Sequence, residues 1–253
     1  MSPSRLSMSG RVAIVTGATS GLGRAVANRL AAEGADIALV GRAQRDLELA
    51  AQEVRSHGGR ALPLRIDLSD SRALEPMVDT VVAELGAPVV LVNAGATDAP
   101  GSAQEISLED WNRVVAVNLT APFALARAVM GHMGGAGGGL IVNVSSVAGR
   151  RGWGNASAYC ATKFALTGLT QSLAAEGREA GIRVCVLYPG AMATNWGTFD
   201  PGADRPAEPA EPAGEVSLDA GVVADLIAWM ATSPGRPVLN EATITPLLEE
   251  GWP

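Results

Sequence analysis

The chain has 253 residues, room for one large α/β domain or two small ones, and 47% hydrophobic against 18% charged residues marks a compact folded protein. A net charge of −7 with no basic stripe argues against nucleic-acid or anionic-membrane partners. Two cysteines without framework spacing (Cys160, Cys185) and two histidines (His57, His132) leave little material for a disulfide scaffold, a metal centre or a histidine triad.

The opening "MSPSRLSMSG" is polar, lacks an apolar signal core, and reads as a short flexible tail over residues 1–9. No apolar run reaches the length needed to span a bilayer, so the expectation is a cytoplasmic protein with reduced thiols. Strand and helix patterns then alternate. "RVAIVT" (11–16) is a strand; "GRAVANRLAAEGA" has helical spacing and a glycine stop at Gly34. "DIALV" (36–40) is the second strand, residues 45–59 the next helix, and "ALPLRIDL" (61–68) the third strand. Residues 69–86 predict a helix with Pro76 near its first turn, where proline is tolerated. "PVVLVNAG" (88–95) is the fourth strand. A long helix opens near 107, with Ser107 and Asp110 spaced as a capping box. "LIVNVSS" (140–146), a helix over 157–177 and "IRVCVLYPG" (182–190) follow. Residues 194–216, rich in Pro, Ala, Gly and acids, break the rhythm and predict a mobile loop over a site, placed at 195–216. A helix near 217–232 and a short strand at 241–245 close the pattern.

Strands apolar on both faces and separated by helices predict a doubly wound parallel α/β sheet of about seven strands, one Rossmann-type domain over 10–253. "TGATSGLG" (16–23) sits where the first strand meets the first helix. Gly17 allows the tight turn, Gly21 and Gly23 allow close approach to a pyrophosphate, and the helix N-terminus offers N–H groups and a positive dipole end. The second strand ends in Gly41 and Arg42, not in the carboxylate that would bond an NAD ribose. A guanidinium there favours a 2′-phosphate, so NADP(H) is preferred and NAD(H) remains possible. Asp67, ending the third strand, is placed to accept from an adenine amino group.

Tyr159 and Lys163 stand at i and i+4, neighbours on one helical face. A carbonyl receiving hydride needs a proton donor; an ammonium one turn away should lower the phenol toward working pH. Ser146, at the C-terminal end of the fifth strand, is placed to bond the substrate oxygen. These residues with "TGATSGLG", "NAG" (93–95), Asn118 and "PGAMAT" (189–194), in that order, resemble the short-chain dehydrogenase/reductase family, NADP(H) type, from about residue 10 onward.

That resemblance implies a catalytic set of Ser146 (thirteen positions before the tyrosine), Tyr159 as acid/base, Lys163 as its helper, and Asn118 holding a water to the lysine. It implies cofactor contacts from Gly17, Thr19, Ser20, Gly21, Leu22 and Gly23, from Arg42, Asp67 and Leu68, and from Asn93, Ala94 and Gly95. Tyr159, Lys163, Pro189, Gly190, Met192 and Thr194 complete that set, the Pro–Gly pair turning the chain beneath the nicotinamide. The family pattern often has two asparagines at "NAG"; Val92 replaces the first here. The substrate candidates are the stretches 149–155 and 95–101 and the loop with Trp196 and Phe199, with Trp153, Met192 and Trp196 the side chains singled out. Arg150 and Arg151 are either anion binders or solvated side chains. The ending "RPVLNEATITP" resembles the subgroup that includes many NADP-dependent oxidoreductases.

The implied activity is reduction of a ketone or aldehyde, or its reverse, on a small molecule by a homodimer or homotetramer. The alternatives are a 3-hydroxy-acid dehydrogenase, a secondary-metabolite ketoreductase, or a cofactor-sensing protein on the same fold.

Overall fold

The apolar run Val12–Thr16 (β1) is buried at all five positions, and Pro88–Asn93 (β4) at all six. Strands buried on both faces need cover on both. The computed structural model describes residues 6–194, 215–233 and 238–249. With Asp36–Gly41 (β2), Ala61–Arg65 (β3), Gly139–Val144 (β5), Ile182–Pro189 (β6) and Glu241–Ile244 (β7), the strands form one sheet ordered β3-β2-β1-β4-β5-β6-β7. Every pair is parallel.

Helices Gly21–Ala32 (α1), Gln44–Ser56 (α2) and Ala220–Thr232 (α7) cover one face, packing against Ala13, Val15, Ile37 and Leu39. Helices Leu74–Glu84 (α3), Ala121–Gly135 (α5) and Ser157–Gly177 (α6) cover the other, against Val12, Ile14, Ala38 and Val40. Neighbouring residues on a strand thus serve opposite cores, as the two-residue period requires. The chain reverses its direction of sheet growth between β1 and β4, the switch point beyond whose strand ends doubly wound sheets place their ligands. Thr16 and Asn93 are in register there.

Several boundaries differ from the sequence expectations. β3 ends at Arg65 and carries Pro63, tolerable because it is an edge strand bonded only to β2. The helix expected from residue 69 begins as a short 3₁₀ turn, Ser71–Ala73, and becomes α3 only at Leu74. Asp67 and Asp70 accept from the backbone N–H groups of Ser69 and Arg72, holding local turns there. Pro76 is the third residue of α3, so its missing N–H costs no helical bond.

The helix from residue 107 is interrupted. Leu108–Val115 (α4), capped by Ser107 accepting from Asp110 N–H at 3.0 Å, runs into a π turn, Ala116–Thr120, before α5. Leu108–Gly135 contains an 18-residue window of mean hydropathy 1.5, long and apolar enough to cross a bilayer by length and composition, against the expectation that no such segment exists. Its Ala121, Leu125, Ala126, Val129 and Met133 lie in the core beneath the sheet. The packed chain also starts before residue 10. Met8 is 1% exposed, and Leu6 N–H bonds to Thr232 O at 2.7 Å.

Candidate active site

The turn between β1 and α1 is built for close approach. Gly17 and Gly21 have φ of +67° and +49°, the left-handed region that favours glycine. A Cβ on Gly17 would lie 2.8 Å from Gly95 Cα, and one on Gly23 would drive into the Gly17 carbonyl. Ser20 precedes α1 in extended conformation without capping it, and the first turn carries no acid. The helix N-terminus thus keeps its positive end for an anion. Thr16 Oγ1 accepts from Ala94 and Gly95 N–H at 3.1 and 3.0 Å, tying the "NAG" loop to this turn.

Other expected cofactor residues converge here. Thr194 packs its side chain against Gly21, 3.2 Å from where a Cβ would stand. Leu68 reaches Gly95 in the same way at 2.6 Å, and Thr19 lies over Gly41 at 2.7 Å. Leu22 and Gly23 are buried in the root of α1. Pro189 ends β6, and Gly190 N–H bonds to Ile244 O at 2.8 Å. Met192 forms a parallel bridge with Leu218, which brings the chain back beside the site after the undescribed residues.

Arg42 is exposed beyond β2 and forms no ion pair among the described residues. Arg24, by contrast, is committed to Glu53, which also accepts from Asn28 at 2.7 Å. Burial works to raise the Asp67 carboxyl, but bonds from Ser69 and the fields of Arg42 and Arg113 hold it below its ordinary value. Asn93 is 3% exposed: its Nδ2 donates to Asn143 Oδ1 at 2.8 Å, and Asn143 donates to Thr170 Oγ1 at 2.9 Å. That buried chain ties β4, β5 and α6 together.

α6 carries Tyr159 and Lys163, 7% and 3% exposed. Lys163, the only lysine in the sequence, places Nζ 5.4 Å from the tyrosine ring centroid and donates to Val144 O at 2.8 Å. Ser146 hydrogen-bonds Tyr159, and its Oγ accepts from Ala148 N–H at 3.2 Å. Ser145 Oγ donates to the Lys163 carbonyl at 3.1 Å. Gly149 is required for this packing, since a Cβ there would lie 2.8 Å from the same carbonyl.

The electrostatics correct one expectation. Lys163 does not pull the tyrosine down in this structure. Burial dominates and drives the Tyr159 phenol well above its ordinary value, against the Ser146 bond. Burial also lowers Lys163 to about 7, against the charge of Asp98. Both shifts penalise the charged form in a dry site, and a partly neutral lysine exerts a weaker field.

Asn118 sits in the π turn, 1% exposed. Its amide clamps both backbone groups of Thr97, accepting from N–H and donating to C=O at 2.8 Å each, and donates to Thr162 Oγ1 at 3.2 Å. Arg113 adds bonds to Thr97 Oγ1 at 2.8 Å and to the Asp98 carbonyl at 3.3 Å. Gly101 N–H bonds to Asn155 O at 3.0 Å, closing this loop onto the segment before α6. Thr97 and Asp98 fall in the candidate stretch 95–101, Gly149 opens the candidate stretch 149–155 and Ser145 neighbours Ser146, but the sequence assigned none of them a contact, and Arg113 escaped the sequence reading altogether. Asp98 lies three residues past "NAG", which is the one local signal it offers.

Trp153 is 46% exposed, with the Arg151 guanidinium 5.7 Å from its ring centroid. Arg150 is occupied: it pairs with Glu241 at 2.6 Å and stacks 4.2 Å over the Tyr188 ring. Trp196 and most of the loop expected at 195–216 lie outside the described residues.

A family model described as short chain dehydrogenase matches residues 11–200. The chain belongs to the short-chain dehydrogenase family. Among curated relatives, D-threitol dehydrogenase of Mycolicibacterium smegmatis is 37% identical over 190 residues, 75% of this chain and 73% of the relative. Cis-4-hydroxycyclohexanecarboxylate dehydrogenase of Sinomonas cyclohexanicum is 39% identical over 181 residues, 71% and 72% of the two chains. A metagenomic short-chain oxidoreductase solved with NADP has 32% identity and a TM-score of 0.82, covering 96% of this chain and 100% of its own. A blue fluorescent protein from a metagenomic library, solved with NADPH, has 30% identity and a TM-score of 0.80, covering 97% and 98%. As a short-chain dehydrogenase, the protein is an NAD(P)-dependent oxidoreductase acting on CH–OH groups.

Proposed function

We propose that this short-chain dehydrogenase uses NADP(H) to reduce a ketone or aldehyde to an alcohol, or runs the reverse reaction, with Tyr159 as acid/base. The observation that carries the reading is the buried Tyr159–Lys163 pair at 5.4 Å, with Ser146 bonded to the tyrosine. It lies beside a glycine cradle that side chains would fill.

The N–H groups of the α1 turn would hold the pyrophosphate, Arg42 the 2′-phosphate, Asp67 with Leu68 the adenine end, and Met192 with Thr194 the nicotinamide end. NADPH, when bound, supplies the hydride. Ser146 holds the carbonyl oxygen, and Tyr159 donates its phenolic proton there as the carbonyl carbon becomes C–H. Lys163, titrating near neutrality, returns a proton to the phenolate. Asn118 spends its side chain on Thr97, so any water it holds for Lys163 is held by its backbone carbonyl in the π turn.

The reading extends to one catalytic domain over 10–253, working in the cytoplasm as a homodimer or homotetramer. Exposed Leu108, Phe123 and Phe164 along α4, α5 and α6 support the oligomer.

Titration of NADPH and NADH into wild type and Arg42→Ala tests the cofactor assignment. NADPH should bind at least about tenfold more tightly, and the variant should lose most of that preference, since a hydrogen bond to a charged group is worth about 1.5–3 kcal/mol. Equal affinities in the wild type, or a preference untouched by the substitution, would count against it.

A further inference from the structure

The cations around the cleft are already committed. Arg150 is paired with Glu241 and stacked on Tyr188. Arg113 spends its guanidinium on Thr97 Oγ1, the Asp98 carbonyl and Asp110. Lys163 donates to Val144 O, and Arg151 stacks on Trp153. The Asp98 carboxylate differs: among the described residues it forms no ion pair, and its one hydrogen bond accepts from Ala99 N–H at 2.7 Å through Oδ1. Oδ2 is left over.

Asp98 is also held in place. Thr97, just before it, is gripped at both backbone groups by Asn118, and the Asp98 carbonyl is gripped by Arg113. The loop is closed three residues later on the segment leading into α6. Asn118 ties Thr97, the residue before Asp98, to Thr162, the residue before Lys163, so the carboxylate lies near the reacting groups, and its charge bears on both Tyr159 and Lys163.

We infer that Asp98 is a specificity-determining residue: it accepts a hydrogen bond from a neutral donor on the substrate, a hydroxyl or amide N–H near the reacting carbon, and repels substrates with a carboxylate there. The inference rests on the oxidoreductase reading for where the substrate lies. A carboxylate in that position would face a like charge in partly desolvated surroundings, while Arg113, Arg150, Arg151 and Lys163 around the cleft are engaged with other groups. A hydroxyl supplies the donor that Oδ2 lacks. The substrate class is therefore neutral hydroxylated carbonyls and their polyol products, not hydroxy acids.

The test uses a matched pair that cannot be reduced or oxidised at this site, cyclohexanecarboxamide and cyclohexanecarboxylate, titrated calorimetrically into the protein saturated with NADP⁺. Wild type should bind the carboxamide at least about tenfold more tightly, and Asp98→Asn should shift the ratio toward the carboxylate by a similar factor. The asparagine keeps the Oδ1 acceptor for Ala99 N–H, and NADP⁺ binding reports that the variant is folded. If it does not fold, Asp98→Ala takes its place, and the wild-type ratio stands as a test by itself. A carboxylate that binds wild type as well as the carboxamide, a ratio unmoved by the substitution, or no carboxamide binding would each overturn the inference. Cyclohexanone turnover with NADPH is measured separately. Its absence would sink the oxidoreductase reading while leaving the binding ratio readable.

Discussion

Tyr159→Phe will bind NADPH within about twofold of wild type and reduce ketones at about a thousandth of the wild-type rate or less, the loss expected when a positioned general acid is removed. The ring is buried in a small cluster with Ala148, Ala156 and Cys160, and phenylalanine fills the same space. What disappears is the hydroxyl bonded to Ser146, the one group placed to protonate an alkoxide. Burial drives that phenol above its ordinary value, so at neutral pH it is a loaded acid, suited to carbonyl reduction. Alcohol oxidation needs the phenolate and should therefore be favoured at alkaline pH. Stopped-flow NADPH consumption with fluorescence titration of the cofactor separates the two effects. A variant that keeps more than about a tenth of wild-type turnover would remove Tyr159 from the chemistry.

The parts legible in the sequence were those that depend on local pattern. The helix expected over 157–177 is α6, Ser157–Gly177, because its spacing and glycine stop are local signals. The glycine turn and the Tyr–Lys spacing were readable for the same reason. The parts that were not legible are contacts across long stretches of chain. Asn118 grips Thr97, 21 residues away, and Glu249 accepts from Ala191 N–H, 58 residues away, at 2.9 Å. Neither partner marks the other in the sequence. The π turn at Ala116–Thr120 looked like uninterrupted helix because no glycine or proline marks a break within it and the apolar pattern runs on into α5. The sign of the tyrosine shift was also hidden: an ammonium at i+4 argues for a lowered phenol, while burial, a property of the whole fold, outweighs it.

The same burial makes Lys163 a marker of pH-dependent stability. Lys163→Met will cut turnover by about a hundredfold or more, since no amine remains to return a proton to Tyr159. It will also remove a rise in folding stability between about pH 7 and 9. Folded Lys163 titrates near 7, against an ordinary value of 10.5. Below 7 both folded and unfolded chains hold the proton, and the group adds no pH dependence. Above it the unfolded chain binds a proton that the folded chain has released, so stability rises with pH, by at most about 1.4 kcal/mol per unit. The upper edge is set by groups shifted the other way. Burial pushes the Cys185 thiol from 9.0 to about 12 and the Tyr159 phenol above 10.0, so both oppose the rise in more alkaline solution. Methionine fills nearly the same volume without titrating, though it leaves the Val144 carbonyl without its 2.8 Å donor and lowers stability overall. Urea unfolding of both proteins at stepped pH isolates the slope from that offset. Parallel curves for wild type and variant would mean that the lysine keeps its proton in the fold across this range and that burial does not lower it.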